Sequence, residues 1–165
     1  MGAPHKNKKV FLFITILLFF SLCKAENSKN IHPRAEERKN VVNSFFGNSL
    51  IENKSYFTYG VEYHRVLTFP LGITLEMEDT PNKDKNHEVE IFSLMTWNFL
   101  NHFTAGIGPG LKFEKNHSTK TMGRLNLGYI TLVANDIEVT PNINFDTVEA
   151  LKSEWVAGIS IGKQF

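Results

Sequence analysis

Cysteine is almost missing from this chain: Cys23 is the only one in 165 residues. A disulfide framework is thereby excluded, and so is a thiolate-based structural zinc site. Long apolar runs are missing as well. The longest, Val10 to Leu22, has thirteen residues, whereas a membrane-crossing helix needs about 20. A mean hydropathy of −0.20 likewise excludes a bundle of such helices. Neither sign of charge dominates, with 18 Lys and Arg against 17 Asp and Glu, so no nucleic-acid partner is expected. The nucleophile-elbow pattern G-x-S-x-G and the zinc-protease pattern H-E-x-x-H do not occur. Gly106-x-Gly108-x-Gly110 lacks the spacing and the strand-to-helix context of a nucleotide loop. His5, His32, His64, His87, His102 and His117 show no metal-ligand spacing. Neither a cofactor nor a metal is expected.

The N-terminal stretch stands apart from the rest. His5, Lys6, Lys8 and Lys9 form a basic start, Val10 to Leu22 an apolar run, and Cys23-Lys24-Ala25 a cleavage site, which together predict a cleaved signal peptide over 1–25. Removing it takes four lysines (6, 8, 9 and 24) and the single cysteine. Residues 26–165 then carry 14 basic against 17 acidic side chains, a net charge of −3. Glu26 to Lys39 is polar and charged, with Pro33 in its middle and no apolar face, and the segment 26–40 reads as a flexible leader. The remainder, 41–165, is of single-domain length.

What the chain does have is phenylalanine, fourteen of them, and a period of two. Phe57, Tyr59, Val61 and Tyr63 alternate with Thr58, Gly60, Glu62 and His64. Leu71, Ile73, Leu75 and Met77 alternate with Gly72, Thr74, Glu76 and Glu78. Phe103 to Phe113, Leu125 to Thr131, Ile137 to Phe145 and Trp155 to Phe165 repeat the pattern, each against a small or polar parity. Val89 to Trp97 alternates imperfectly. Val41 to Ile51 is the least regular stretch because Phe45 and Phe46 are adjacent. Eight strands are thus expected, all antiparallel, joined alternately by longer polar loops (Glu52 to Ser55, Asp79 to His87, Lys115 to Lys120, Asp146 to Ser153) and short turns (near Thr68 to Pro70, Asn98 to Asn101 and Ala134-Asn135). Pro109 and Pro141 fall within strands, where a missing N–H predicts bulges.

Charge decides which face looks inward. The parity bearing Glu62, His64, Glu76, Glu78, Lys112, Glu114, Arg124, Glu138 and Glu154 also bears most of the strand glycines, including Gly60, Gly72, Gly106, Gly108, Gly110, Gly128, Gly158 and Gly162. Small residues beside large polar ones suit the filled interior of an eight-stranded barrel, whereas glycines on an aqueous outer face would only weaken the strands. The apolar parity, with aromatics near the strand ends, suits lipid.

The motifs F-T-Y-G-V-E-Y (Phe57 to Tyr63), F-T-A-G-I-G-P-G-L (Phe103 to Leu111), G-R-L-N-L-G-Y (Gly123 to Tyr129), V-T-P-N-I-N-F-D (Val139 to Asp146) and the terminal G-I-S-I-G-K-Q-F resemble those of the small eight-stranded outer-membrane β-barrel proteins of Gram-negative bacteria. The resemblance covers Phe46 to Phe165. It implies an up-and-down transmembrane barrel in the outer membrane, a periplasmic leader, and a closing strand in which Trp155, Ile159, Ile161 and Phe165 carry the signal for the barrel-assembly machinery. Lys163 departs from that signal, which usually has an aromatic or apolar residue there.

The functional expectation is a monomeric, non-enzymatic barrel in contact with outer-membrane lipids. Its lumen is plugged by the inward polar network, and its role is structural or one of small-molecule binding or transport. Two alternatives are a lipid A-modifying barrel enzyme of the deacylase or acyltransferase type and a soluble periplasmic lipid-binding barrel. The adjacent pair His117-Ser118 is the best hydrolase candidate, but neighbours in a strand point to opposite faces, and a surface loop is the expected setting.

Overall fold

The computed structural model describes residues 33–34, 39–51, 54–83, 86–114, 118–149 and 152–165. These form strands β1 (Asn40–Ile51), β2 (Lys54–Thr68), β3 (Leu71–Lys83), β4 (Asn86–Phe99), β5 (Phe103–Glu114), β6 (Lys120–Tyr129), β7 (Thr131–Leu132), β8 (Ile137–Val148) and β9 (Lys152–Gln164), with no helix among the described residues. Every pairing is antiparallel, and β1 joins β9 to close the sheet on itself. The register between β6 and β8 continues unchanged between β7 and β8. These two short strands are therefore halves of one stave, and the barrel has eight. Their interruption faces Thr140 and Pro141, where the proline has no N–H to complete the ladder.

The seam between β1 and β9, the least regular by sequence, is regular in space. Ten pairs run from Val41 opposite Gln164 to Leu50 opposite Trp155. The ladder extends through the final residue: Asn40 N–H donates to Phe165 O at 3.1 Å and Phe165 N–H to Asn40 O at 2.9 Å. Phe45 points in and Phe46 out. Adjacent aromatics are needed because Phe45 fills space above two glycines of the seam. A β-carbon on Gly158 would come within 2.3 Å of its ring, and one on Gly47 within 2.6 Å.

Three expectations about connections and bulges need correction. Asp79 to His87 is mostly ladder, with Asp79 opposite Val89 and Thr80 opposite Glu88. Thr80 gains an inward partner there, the Thr58 hydroxyl at 2.6 Å, which outweighs its turn-forming neighbours. Asp146 to Val148 likewise belongs to β8, with Asp146 opposite Glu154; charge compensation inside the barrel holds this aspartate in a strand. No bulge occurs at Pro109 or Pro141, which pair with Gly123 and Ile159 in ladders that keep one register throughout. Each proline costs a rung on its other side, so no inserted residue is required. Register shifts occur instead between Val66 and Thr68 and between Thr80 and Lys83. The short connections lie at Phe69-Pro70, Leu100 to His102 and 133–136.

Inside and outside are inverted relative to a water-soluble domain. Among the described residues, 25 buried side chains are polar or charged and nine are apolar. The outer face presents Phe46, Met77, Ile107, Leu125, Ile143 and Ile161, the apolar band that a lipid phase requires. Aromatics gather near both rims. Phe145 and Trp155 lie 4.8 Å apart at the loop end, where β1 passes to β2 and β8 to β9. Phe103 lies 5.1 Å from Tyr129 and 5.9 Å from Phe99 at the turn end, which also holds the C-terminus.

Candidate functional site in the barrel lumen

The inward parity places acids directly opposite acids: Glu62 and Glu76, Glu78 and Glu90, Glu88 and Glu114, Asp146 and Glu154. Like charges paired across strands repel, and burial sharpens that repulsion; cations threaded among most of these acids offset it. Arg124, fully buried, donates to Asp146 from Nε at 2.8 Å and from Nη2 at 2.7 Å, and to Glu76 from Nη1 at 2.7 Å. It also grips Glu78 with both terminal nitrogens, Nη2 at 3.1 Å from Oε2. Its guanidinium stacks 3.7 Å from the centre of the Phe92 ring. The planar fork of arginine explains how one side chain serves three carboxylates.

Lys112 does the same nearer the loop end. Its Nζ lies 2.9 Å from Glu88, 2.8 Å from Glu90 and 2.9 Å from Glu154. Those three carboxylates converge closely enough to surround a metal ion, but the ammonium already sits among them. Beside the charges lies a small apolar cluster, Phe92, Leu94, Met122 and Val148. Phe92 occupies the space that a β-carbon on Gly110 would need, 2.3 Å from its ring.

Toward the turn end the charges thin out among threonines and asparagines. A cavity with room for one or two water molecules is lined by Arg34, Glu62, His64 and Glu76 together with neutral threonine and asparagine side chains of the surrounding strands. At its turn-end side the cavity-lining Arg34 pairs with Glu138, its Nε 3.3 Å from Oε2, and Gln164 donates to the same Oε2 at 2.8 Å. The leader expected over 26–40 thus puts one side chain inside the barrel; the rest of it lies largely outside the described residues.

No protein-family model matches the chain, and no curated protein is similar to it in sequence. Solved structures do match. The N-terminal β-barrel domain of Pseudomonas aeruginosa OprF superposes with a TM-score of 0.58 at 12% identity, over 78% of this chain and 98% of that one. Neisserial surface protein A gives 0.56 at 10% identity over 77% and 96%. The outer membrane protein OprG of Pseudomonas aeruginosa gives 0.55 at 10% over 84% and 99%.

The chain has the eight-stranded outer-membrane β-barrel fold. In the setting of this barrel fold, the site residues anticipated from sequence fall into five groups. Glu76, Glu78, Lys112, Arg124 and Glu154 meet in the ionic cluster. Glu62 and His64 line the chamber, where His64 Nδ1 lies 2.9 Å from Thr74 Oγ1. Glu138 sits at the turn end, and Glu114 sits at the loop-end rim, 2.9 Å from Lys120. Trp155, Ile159 and Ile161 share the outer face of β9 and Phe165 lies exposed just past its end, while Lys163 among them reaches Asp136 at 3.4 Å. Sequence reasoning missed Glu88, Glu90, Asp146 and Arg34. Extending strict alternation backward from Thr96 would have found the first two. Of the hydrolase pair, His117 lies outside the described residues, and Ser118 is exposed beside β6.

Proposed function

We propose that this protein is a non-enzymatic integral barrel of the outer membrane, with a structural role and a lumen plugged by its own charges. It is exported through the cleaved signal over 1–25, is monomeric, and is assembled through the outer face of β9. One observation carries the plug: the Arg124 and Lys112 cluster draws side chains from β3, β4, β5, β6, β8 and β9, six of the eight staves, and so spans the narrow interior. An eight-stranded lumen is only wide enough for side chains, and here those side chains are bonded to one another across it.

The location rests on the apolar exterior, the two aromatic rims and the likeness in fold to outer-membrane barrels. Detergent-extracted protein should migrate at different positions on a gel before and after boiling, and no shift would contradict a membrane barrel. Reconstituted in planar bilayers it should give no discrete single-channel currents; steady currents would refute the plug and favour small-molecule transport. Release by osmotic shock without detergent would support the soluble alternative. Lipid A from a deletion strain should have an unchanged mass spectrum, a changed acylation pattern being the mark of the enzyme alternative.

A further inference from the structure

The buried arginine and lysine side chains of the described lumen differ in origin. Lys112 and Arg124 stand on β5 and β6, so the barrel wall itself holds them in place. Arg34 comes from outside the sheet: it precedes β1, yet its side chain is buried within the turn end. The wall therefore builds one half of the Arg34–Glu138 pair, and the leader brings the other.

The half built by the wall is an anionic seat with a definite shape. Glu138 is fully buried on β8, and Arg34 is the only cation it meets among the described residues. Nε and Nη2 of Arg34 address its two oxygens side by side, Nε at 3.3 Å from Oε2 and Nη2 on Oε1. A guanidinium offers that pair of parallel donors and an ammonium does not. From β9, Gln164 Nε2 donates to Oε2 at 2.8 Å, and the oxygen of the same amide is buried without a hydrogen-bond partner. The seat thus keeps an acceptor in reserve beside the carboxylate. On its inner side the Arg34 guanidinium lines the small cavity that Glu62 and His64 also face. Without Arg34, Glu138 would keep one neutral donor, a costly state for a buried carboxylate, and the vacated space would adjoin that cavity.

We infer that the turn-end mouth of the barrel wall is a binding site for guanidinium cations, in which Arg34 is the tethered ligand and which takes a free guanidinium compound when that side chain is absent. The tether is short. Lys39 is fixed to the wall, its carbonyl accepting from Val66 N–H at 2.9 Å, and only residues 35–38 separate it from Arg34. Such a linker supplies its ligand at an effective concentration on the order of millimolar, which keeps the site filled in the unaltered chain. The inference goes beyond the plugged-barrel reading and holds whether or not the lumen conducts.

Chemical rescue tests it. The full chain carrying Arg34→Ala, refolded in micelles and unfolded by urea with gel mobility as the readout, should lose its fold at lower urea than the wild type. Millimolar methylguanidinium chloride, far below denaturing concentrations, should raise that midpoint again. Once the compound exceeds its dissociation constant, the variant's unfolding equilibrium constant should fall about tenfold per tenfold rise in ligand. Methylammonium and choline chlorides at equal ionic strength should restore little, and adding Glu138→Gln to Arg34→Ala should abolish the response. The wild type, already filled, should respond far less than the variant. Equal effects of the three salts on Arg34→Ala, no effect of any of them, or a wild type that responds as strongly as the variant would overturn the site. If Arg34→Ala does not fold, isotope-edited NMR of the wild type decides: a seated guanidinium gives an Arg34 Nε–H protected from solvent exchange, and exchange as fast as that of free arginine overturns the proposal.

Discussion

Replacing Arg124 by alanine is the sharpest test of how this interior is held together. The guanidinium makes five hydrogen bonds to Glu76, Glu78 and Asp146 and lies against Phe92, all without solvent access. Removing it leaves three carboxylates facing one another in a confined lumen. Breaking a buried ion pair by deleting one partner costs roughly 3–5 kcal/mol, and the lost stacking adds about 1 kcal/mol. Against a total stability on the order of 5–15 kcal/mol, that is a large share. With a urea dependence of about 2 kcal/mol per molar, the midpoint should fall by about 2–3 M. Gel mobility reads the folded fraction directly, with protein equilibrated in urea and loaded unheated. A second variant separates charge from packing. Arg124→Met combined with Glu76→Gln, Glu78→Gln and Asp146→Asn removes the cation and its dependents together, and a neutral replacement of a buried ionic group is often tolerated, so it should recover most of the loss. An Arg124→Ala midpoint within about 0.3 M of the wild type would refute the idea that this arginine neutralises the plug.

Lys112→Met should cost roughly 3–5 kcal/mol for the same reason, because Glu88, Glu90 and Glu154 lose their shared counter-charge; equal urea midpoints would contradict it. Gly158→Ala should cost about 1–3 kcal/mol through overpacking, and Phe45→Ala should rescue it only in part, since the new β-carbon also meets the Phe46 carbonyl at 2.6 Å; complete rescue in a double-mutant cycle would place the clash in the ring alone. Ile107→Arg, on the exposed apolar band near the middle of β5, should cost about 2–4 kcal/mol in lipid vesicles. The same change on a water-facing surface is nearly neutral, so a negligible effect would argue against lipid there.

The strand pattern is legible wherever the lumen is polar and the exterior apolar, which is why Phe57 to Met77, Ile137 to Phe145 and Trp155 to Phe165 read cleanly. It blurs where the inside holds its own apolar cluster. Phe92 and Leu94 point inward beside Thr96, so β4 looks apolar on both faces and the acids Glu88 and Glu90 are lost with it. The pair Phe45-Phe46 blurs β1 in the same way, because the glycines that make room for an inward ring belong partly to another strand, far along the chain at Gly158. Asp146 reads as a loop residue because local propensity cannot see Arg124, 22 residues distant in sequence. The ionic cluster is therefore half visible: the residue types are evident from parity, while their partners depend on register around a closed ring.

Arg34 bears on how the cylinder is finished. It precedes β1, yet its partner Glu138 is on β8, which borders β9 and not β1. Before β1 and β9 meet, the two residues stand at opposite ends of an open sheet, most of a circumference apart. Only when the last ladder zips do they come within reach. The ion pair thus works as a clasp that can fasten on the completed cylinder alone, and parting the seam then means breaking a bond anchored one stave beyond it.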